Sequence, residues 1–232
     1  MALPAPLDLL PTLAEGIGTT LQLLLGGSAV ALAAGLAAGV GRSLRTLTWL
    51  GRPSPAVRLG RSLWYGASTA YVEAFRGTSA LVQLFWFYFA LPRLGVSMTA
   101  LSAGILVLGL NTGSYGAEVV RGAVQAVPKG QREAARALGL SEGQILRRVV
   151  LPQAAVRMVP PAGNLLIELL KNTALASTIA LTELTFRAQA LRSETLRTVE
   201  IFSVTLVVYF VIARAISFTM GRIEKRLAVG RA

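Results

Sequence analysis

From Ile17 to Gly41 the chain carries no charged residue. A helix of about 20 apolar residues crosses the roughly 30 Å hydrocarbon core of a bilayer. It can do so because its backbone hydrogen bonds are all internal. Four further segments share this character: Ser62–Leu91, Leu94–Ala117, Met158–Thr182 and Ile201–Gly221. The second contains Glu73 and Arg76, the fourth Glu168 and Lys171, and the last Arg214 near one end. Charged residues make up 15% of the chain, against about 25% in ordinary globular domains. The expectation is an all-α membrane protein with about five transmembrane helices in one membrane domain, residues 1–232.

The charges between these segments orient them. Asp8 and Glu15 precede the first segment without a cation. The next loop has Arg42, Arg45, Arg52, Arg58 and Arg61 and no acid. Only Arg93 follows the second segment, whereas the third is followed by Lys129, Arg132, Arg136, Arg147, Arg148 and Arg157. Glu183, Glu194 and Glu200 balance Arg187, Arg192 and Arg197 in the fourth loop, and the tail holds Arg222, Lys225, Arg226 and Arg231. Cationic loops stay in the cytoplasm, so the N-terminus is expected outside and the C-terminus inside a multi-pass bacterial cytoplasmic membrane protein. Phe85–Phe89 then fall at the outer interface and Trp49, Trp64 and Tyr65 at the inner one, where aromatic rings are enriched. Residues 1–16 lack the basic start of a signal peptide, so the first segment reads as a retained span.

Several function classes drop out. The net charge of +12 comes from cations in loops, not from a basic face with stacking aromatics, which argues against nucleic acid. Cysteine and histidine are absent, so thiol nucleophiles, disulfides and most zinc or haem ligation are excluded and no metal site is expected. No G-x4-G-K-[ST] phosphate loop occurs. ATP chemistry by that route must come from another chain.

Small residues at spacing four, Ala31, Gly35 and Gly39 in the first segment and Gly109 and Gly113 in the third, fit close helix contacts. The third loop is more informative. Residues 128–152 read PKGQREAARALGLSEGQILRRVVLP. Pro128 suits a first helical position, and Gly139 suits a left-handed stop. Ser141 with Gln144 suits a capping box. Two short helices are expected, the second ending where Pro152 meets the fourth segment. Glu133 and Arg136 are spaced to pair. Ala134, Ala135 and Ala137 make the first helix slim, which favours insertion in a partner's groove over lying on lipid, where bulky residues serve better.

This stretch resembles the EAA loop of ABC-importer permeases, through Glu133, Ala134, Ala135, Gly139, Val149, Leu151 and Pro152, with Val149 where isoleucine is usual. YGAEVVRGAVQAVPKGQREAARALGL, FRGTSALVQLFWFYFALP and LLKNTALASTIALTEL are similar to the polar amino acid permease family, which commonly has proline at the position of Ser79. RGTSALVQLFW further resembles permeases for ectoine and hydroxyectoine. The resemblance implies that Glu133, Ala134, Ala135, Gly139, Leu151 and Pro152 couple to a cytoplasmic ABC ATPase dimer, which uses ATP and Mg. It also implies a second permease, identical or sibling, and an external solute-binding protein. No cofactor is expected on this chain, and it is not expected to be an enzyme.

Charged residues inside spans are costly and mark function or structural pairing. Glu73 with Arg76, Glu118 with Arg121, and Glu168 with Lys171 are each spaced to meet on one helix face; the middle pair reads as structural. Asn164, Glu168 and Asn172 form one stripe, and Asn111 and Tyr115 lie on the turns before Glu118. Such stripes serve as interhelical glue or as a solute pathway. For a zwitterion, Arg76 suits a carboxylate and Glu168 an ammonium. A passive channel or a scaffold docking a non-ATPase partner is the alternative function.

Overall fold

The computed structural model describes residues 10–43 and 54–228. Asp8, Arg45, Trp49, Arg52 and Arg231, which enter the orientation argument, lie outside the described residues. Helices α1 (Leu10–Ser43), α2 (Pro55–Arg76), α3 (Ala80–Phe85), α4 (Ala100–Gln125), α5 (Lys129–Ala137), α6 (Glu142–Ile145), α7 (Leu151–Asn172), α8 (Leu184–Thr195) and α9 (Thr198–Ala228) follow in order, and no strand occurs among the described residues. Two are long and apolar enough to cross a membrane alone, Pro11–Ser43 and Thr198–Leu227, with mean hydropathies of 2.0 and 2.1. A third crossing results if Glu142–Ile179 and Leu184–Thr195, bent by 52°, count as one broken span. The chain is an all-helical membrane protein.

The expected span Ser62–Leu91 is not one helix. α2 begins at Pro55, which needs no amide partner in the first turn, and ends at Arg76. The chain resumes at α3 from an extended Ser79, ψ 132°. Gln83, nearly buried, donates its side-chain amide to Thr78 Oγ1 at 2.6 Å and to the Thr78 carbonyl at 3.3 Å. The second of these bonds satisfies a backbone carbonyl that a continuous helix would satisfy itself. Beyond α3 the chain makes a π-helical turn, Trp86–Ala90, and a 3₁₀ turn, Leu91–Leu94, closed by Gly95 at φ 89°. The third segment starts later than expected, at Ala100, with the Ser102 amide donating to Thr99 Oγ1, and runs on to Gln125. The fourth begins at Leu151, contains Pro160 and Pro161, and tightens into a 3₁₀ stretch, Thr173–Ile179.

The chain divides into two compact units. One comprises residues up to Val30, Thr78–Leu110 and Leu166–Phe218. Its core has three clusters, around Leu13, Leu184 and Ile201, around Leu24, Leu108 and Leu170, and around Leu84, Val107 and Ile179. Glu183, wholly buried, caps α8 by accepting the amides of Thr185 at 2.8 Å and Phe186 at 2.7 Å and the Tyr209 hydroxyl at 3.1 Å. The neighbouring Leu184 amide donates to Thr20 Oγ1 on α1 at 3.1 Å. Glu183 thus holds a helix start, a role its count among loop charges did not reveal.

The other unit comprises Ala31–Gly77, Asn111–Leu165 and the chain from Thr219. Here the small-residue spacing has its effect. A Cβ on Gly39 of α1 would lie 2.5 Å from Val120 Cβ on α4, and one on Gly113 would lie 3.0 Å from the Ala31 carbonyl. Ala38, Val72 and Ala117 form one core cluster, and residues of α4–α7 form another.

Candidate functional site

Two groups of residues in the second unit stand out, and the first is the hairpin of α5 and α6. α5 is capped by Pro128, which sits just before the helix and not at its first position. It stops as expected at Gly139, φ 77°, where the Gly139 amide donates to the Arg136 carbonyl at 3.0 Å and the Leu140 amide to the Ala135 carbonyl at 3.2 Å. Ser141 and Gln144 form the reciprocal capping box. α6 is only four residues long and continues through a π-helical turn, Leu146–Val150, into α7. The expected second helix therefore merges with the fourth segment, and Pro152 is the second residue of α7.

Arg136 does not pair with Glu133. Its guanidinium donates to Glu142 Oε1 at 2.7 and 2.9 Å, because the reversal at Gly139 brings Glu142 back across α5. Ala135 is buried with Ala123, Val124, Val127, Ile145, Val150 and Ala154, and Arg157 donates to the Ala126 carbonyl. The hairpin is thereby packed on the end of α4 and the start of α7. Of the residues singled out for coupling, Glu133, Ala134, Gly139 and Leu151 are exposed, Pro152 is half-buried, and Ala135 belongs to the hairpin's own core. The outward face adds Ala137 and Leu138, the latter 82% exposed.

The second group surrounds the end of α2. The Arg76 guanidinium lies 5.1 Å from the centroid of the Tyr115 ring, a cation–π contact worth about 0.5–1 kcal/mol where water reaches it. Asn111, 7% exposed, donates its amide to the Phe75 carbonyl at 3.0 Å. It thus satisfies one of the orphan carbonyls at a helix end. Three of the candidate pathway residues are brought together here. Glu73 pairs with Arg42 of α1 at 3.4 Å, not with Arg76. Glu118 pairs with Arg121 at 2.6 Å, as the spacing predicts, and also lies 3.1 Å from Arg42. Sequence reasoning counted Arg42 only as a loop cation; its place at the close of an uncharged segment was the available signal.

Asn164 and Glu168 are exposed and Asn172 is half-buried; Asn164 belongs to the second unit, Glu168 and Asn172 to the first. No ion pair joins Glu168 to Lys171 among the described residues. Lys171 instead borders an apolar cleft of about 430 Å³ lined also by Leu170, Ala174, Tyr209, Phe210 and Ala213.

Residues 49–229 match the model of a family described as binding-protein-dependent transport system inner membrane component. The chain is 36% identical over 222 residues to the glutamine transport system permease protein GlnP of Escherichia coli, covering 95% of this chain and 94% of that protein. It is 49% identical over 165 residues to a probable amino-acid ABC transporter permease of Sinorhizobium fredii, covering 68% and 69% of the two chains. The crystal structure described as an amino acid ABC transporter with histidines superposes with a TM-score of 0.83 at 30% identity, covering 97% of this chain and all of that one. The chain therefore belongs to the family of binding-protein-dependent transport system inner membrane components, the permease subunits of ABC importers.

Proposed function

We propose that this permease moves a polar amino acid or a close analogue inward, that its α5–α6 hairpin is the lever a cytoplasmic ABC ATPase dimer grips, and that Arg76 receives the solute's carboxylate. The observation that supports the lever is the division of labour within α5. Ala135 anchors the helix in a hydrophobic cluster, while Ala134, Ala137 and Leu138 face outward. A helix held on one face and slim on the other transmits a push without bending away from it. ATP and Mg act on the partner chain, since this sequence has no phosphate loop.

The remaining architecture follows as part of the same proposal. Five crossings with the N-terminus outside put the basic hairpin and the basic end of α9 in the cytoplasm. A second permease, identical or sibling, completes a pathway that one chain of this size encloses poorly. A solute-binding protein delivers the solute from outside. The two named relatives are a glutamine transport permease and a probable amino-acid permease, which supports an amino-acid-like solute; they lend no support to ectoine or to a passive channel. Arg76 presents a planar fork suited to a carboxylate, and its guanidinium lies over the Tyr115 ring.

The chain has no cysteine, so a single Ala134→Cys is a clean probe. It should react with a membrane-impermeant maleimide in inside-out vesicles but not in intact cells. It should also crosslink to cysteines placed in the ATPase groove. Labelling from outside would overturn the orientation, and absence of every crosslink would overturn the lever. Arg76→Ala should raise the solute concentration needed for half-maximal uptake about tenfold or more, as loss of a charged hydrogen-bonding partner does; unchanged uptake would remove Arg76 from the pathway.

A further inference from the structure

The first turns of α2 have a composition and exposure that the transport reading does not use. Ala56, Leu59, Leu63 and Trp64 share one arc of the helix, and Arg58, Arg61, Ser62 and Tyr65 share the opposite one. Leu59 is 62% exposed, Leu63 65% and Trp64 46%, while Arg58 is exposed and Arg61 half-buried. Neither arginine has an ion-pair partner among the described residues. In sequence no acid occurs from Arg42 to Val72. The position of Trp64 is built, not incidental: a Cβ on Gly41 of α1 would come within 2.8 Å of its indole Nε1 and Cδ1.

We infer that residues 55–65, the first turns of α2, form an amphipathic anchor at the membrane–water interface that selects anionic phospholipid headgroups through Arg58 and Arg61, with Leu59, Leu63 and Trp64 in the acyl boundary. Bulky leucines and tryptophan on one arc with arginines on the other are what an interfacial helix needs. The contrast with α5 decides against a protein groove as the occupant. α5 turns Ala134 and Ala137 outward with one leucine, Leu138, at its end, whereas α2 turns outward two leucines and a tryptophan, side chains well suited to lipid. The uncompensated arginines supply the charge complementarity to anionic headgroups. The anchor needs only a bilayer surface, so it stands or falls apart from the lever and the solute site.

The test uses the full chain with Trp49→Phe and Trp86→Phe, leaving Trp64 as the single tryptophan, in vesicles containing phospholipids brominated near the glycerol end of the chain. Brominated phosphatidylglycerol should quench Trp64 more strongly than brominated phosphatidylcholine at the same mole fraction, with a lipid preference of up to about thirtyfold from two cations near the surface. Arg58→Gln with Arg61→Gln should bring that preference close to one. Equal quenching by the two headgroups in the parent would overturn the anionic selection. Quenching only by lipid brominated near the bilayer centre would overturn the surface placement. No quenching by either lipid would mean that protein, such as a second copy, covers the indole, and would overturn the lipid assignment. Native mass spectrometry of the chain with its natural tryptophans gives an independent reading: phosphatidylglycerol adducts should survive delipidation and be lost in the double arginine variant, and adducts equal in both would overturn the role of the arginines.

Discussion

Ile145→Ala should unfasten the hairpin without unfolding the membrane helices. Ile145 is completely buried, in contact with the cluster of Ala123, Val124, Val127, Ala135, Val150 and Ala154. Its neighbours are mostly alanine and valine, so little side-chain mass is available to collapse into the space left behind. A fully buried Ile→Ala change costs about 2–5 kcal/mol through lost transfer and the residual cavity. The hairpin opens locally, and local openings are read by amide exchange. At 1.4 kcal/mol per factor of ten, protection of α5 amides should fall roughly 30- to 3,000-fold. Hydrogen–deuterium exchange with peptides covering 129–145 measures this, with peptides from the middle of α9 as the unaffected reference. Leu138→Ala is the matched control: the side chain is 82% exposed, so protection should move by less than about threefold, the range of surface changes. That variant should instead weaken recovery of the ATPase with the permease. If α5 exchange in Ile145→Ala stays within threefold of the parent, the cluster is not what holds the hairpin and the reasoning fails.

Gly39→Val should lower the melting temperature, because a Cβ at that position would lie 2.5 Å from Val120 Cβ and 2.9 Å from the Ala117 carbonyl; overpacking of this kind costs about 1–3 kcal/mol. Gly122→Ala meets nothing within 4 Å and should be neutral or stabilising by about 0.5–1 kcal/mol, and thermal unfolding in lipid nanodiscs compares the two. Glu118→Gln leaves Arg42 and Arg121 without the carboxylate they share and should cost about 2 kcal/mol by the same measurement; equal melting would make this pair dispensable. Glu183→Ala removes the acceptor of two amides at the start of α8 and should cost at least the roughly 1 kcal/mol of an N-cap, with increased exchange confined to the first turn of α8 and to the Leu184 region beside Thr20.

The legible parts of this protein are those decided by neighbours in sequence. Gly139 ends α5 and Ser141 caps α6 because both motifs are local, and α1 and α9 follow from long runs that are apolar with few or no charges. The break at Gly77–Ser79 escaped because hydropathy averages over it; only the Gln83 amide reaching back to Thr78 shows how the backbone is satisfied there. Arg136 was matched to Glu133 because spacing within a helix knows one helix at a time, whereas Gly139 folds Glu142 onto the same guanidinium. Arg42 and Glu183 were counted as loop charges; tertiary contacts place one between two carboxylates and the other at the start of a helix. Family membership was legible in the loop motif, whereas the polar residues within the segments were legible only as a set of candidates.

Asn111 illustrates why such candidates sort into different roles. By sequence it belongs to the same stripe as Tyr115. In the structure its amide nitrogen is engaged with the Phe75 carbonyl at 3.0 Å, and the side chain is almost buried. It therefore holds the last turn of α2, the turn that carries Arg76 over Tyr115. On the reading that Arg76 receives the solute, Asn111 acts by placing it. Asn111→Leu leaves the Phe75 carbonyl without that donor, a cost of about 1–3 kcal/mol for a buried acceptor, and frees the turn. Solute affinity in uptake assays should fall in the same direction as in Arg76→Ala. The double variant should be no worse than Arg76→Ala alone, because residues acting through one another are not additive. Asn111→Asp, which replaces a donor with a carboxylate facing a carbonyl, should resemble the leucine variant and not the parent. If the two losses instead add in full, Asn111 meets the solute or its path independently, and the placement argument is wrong.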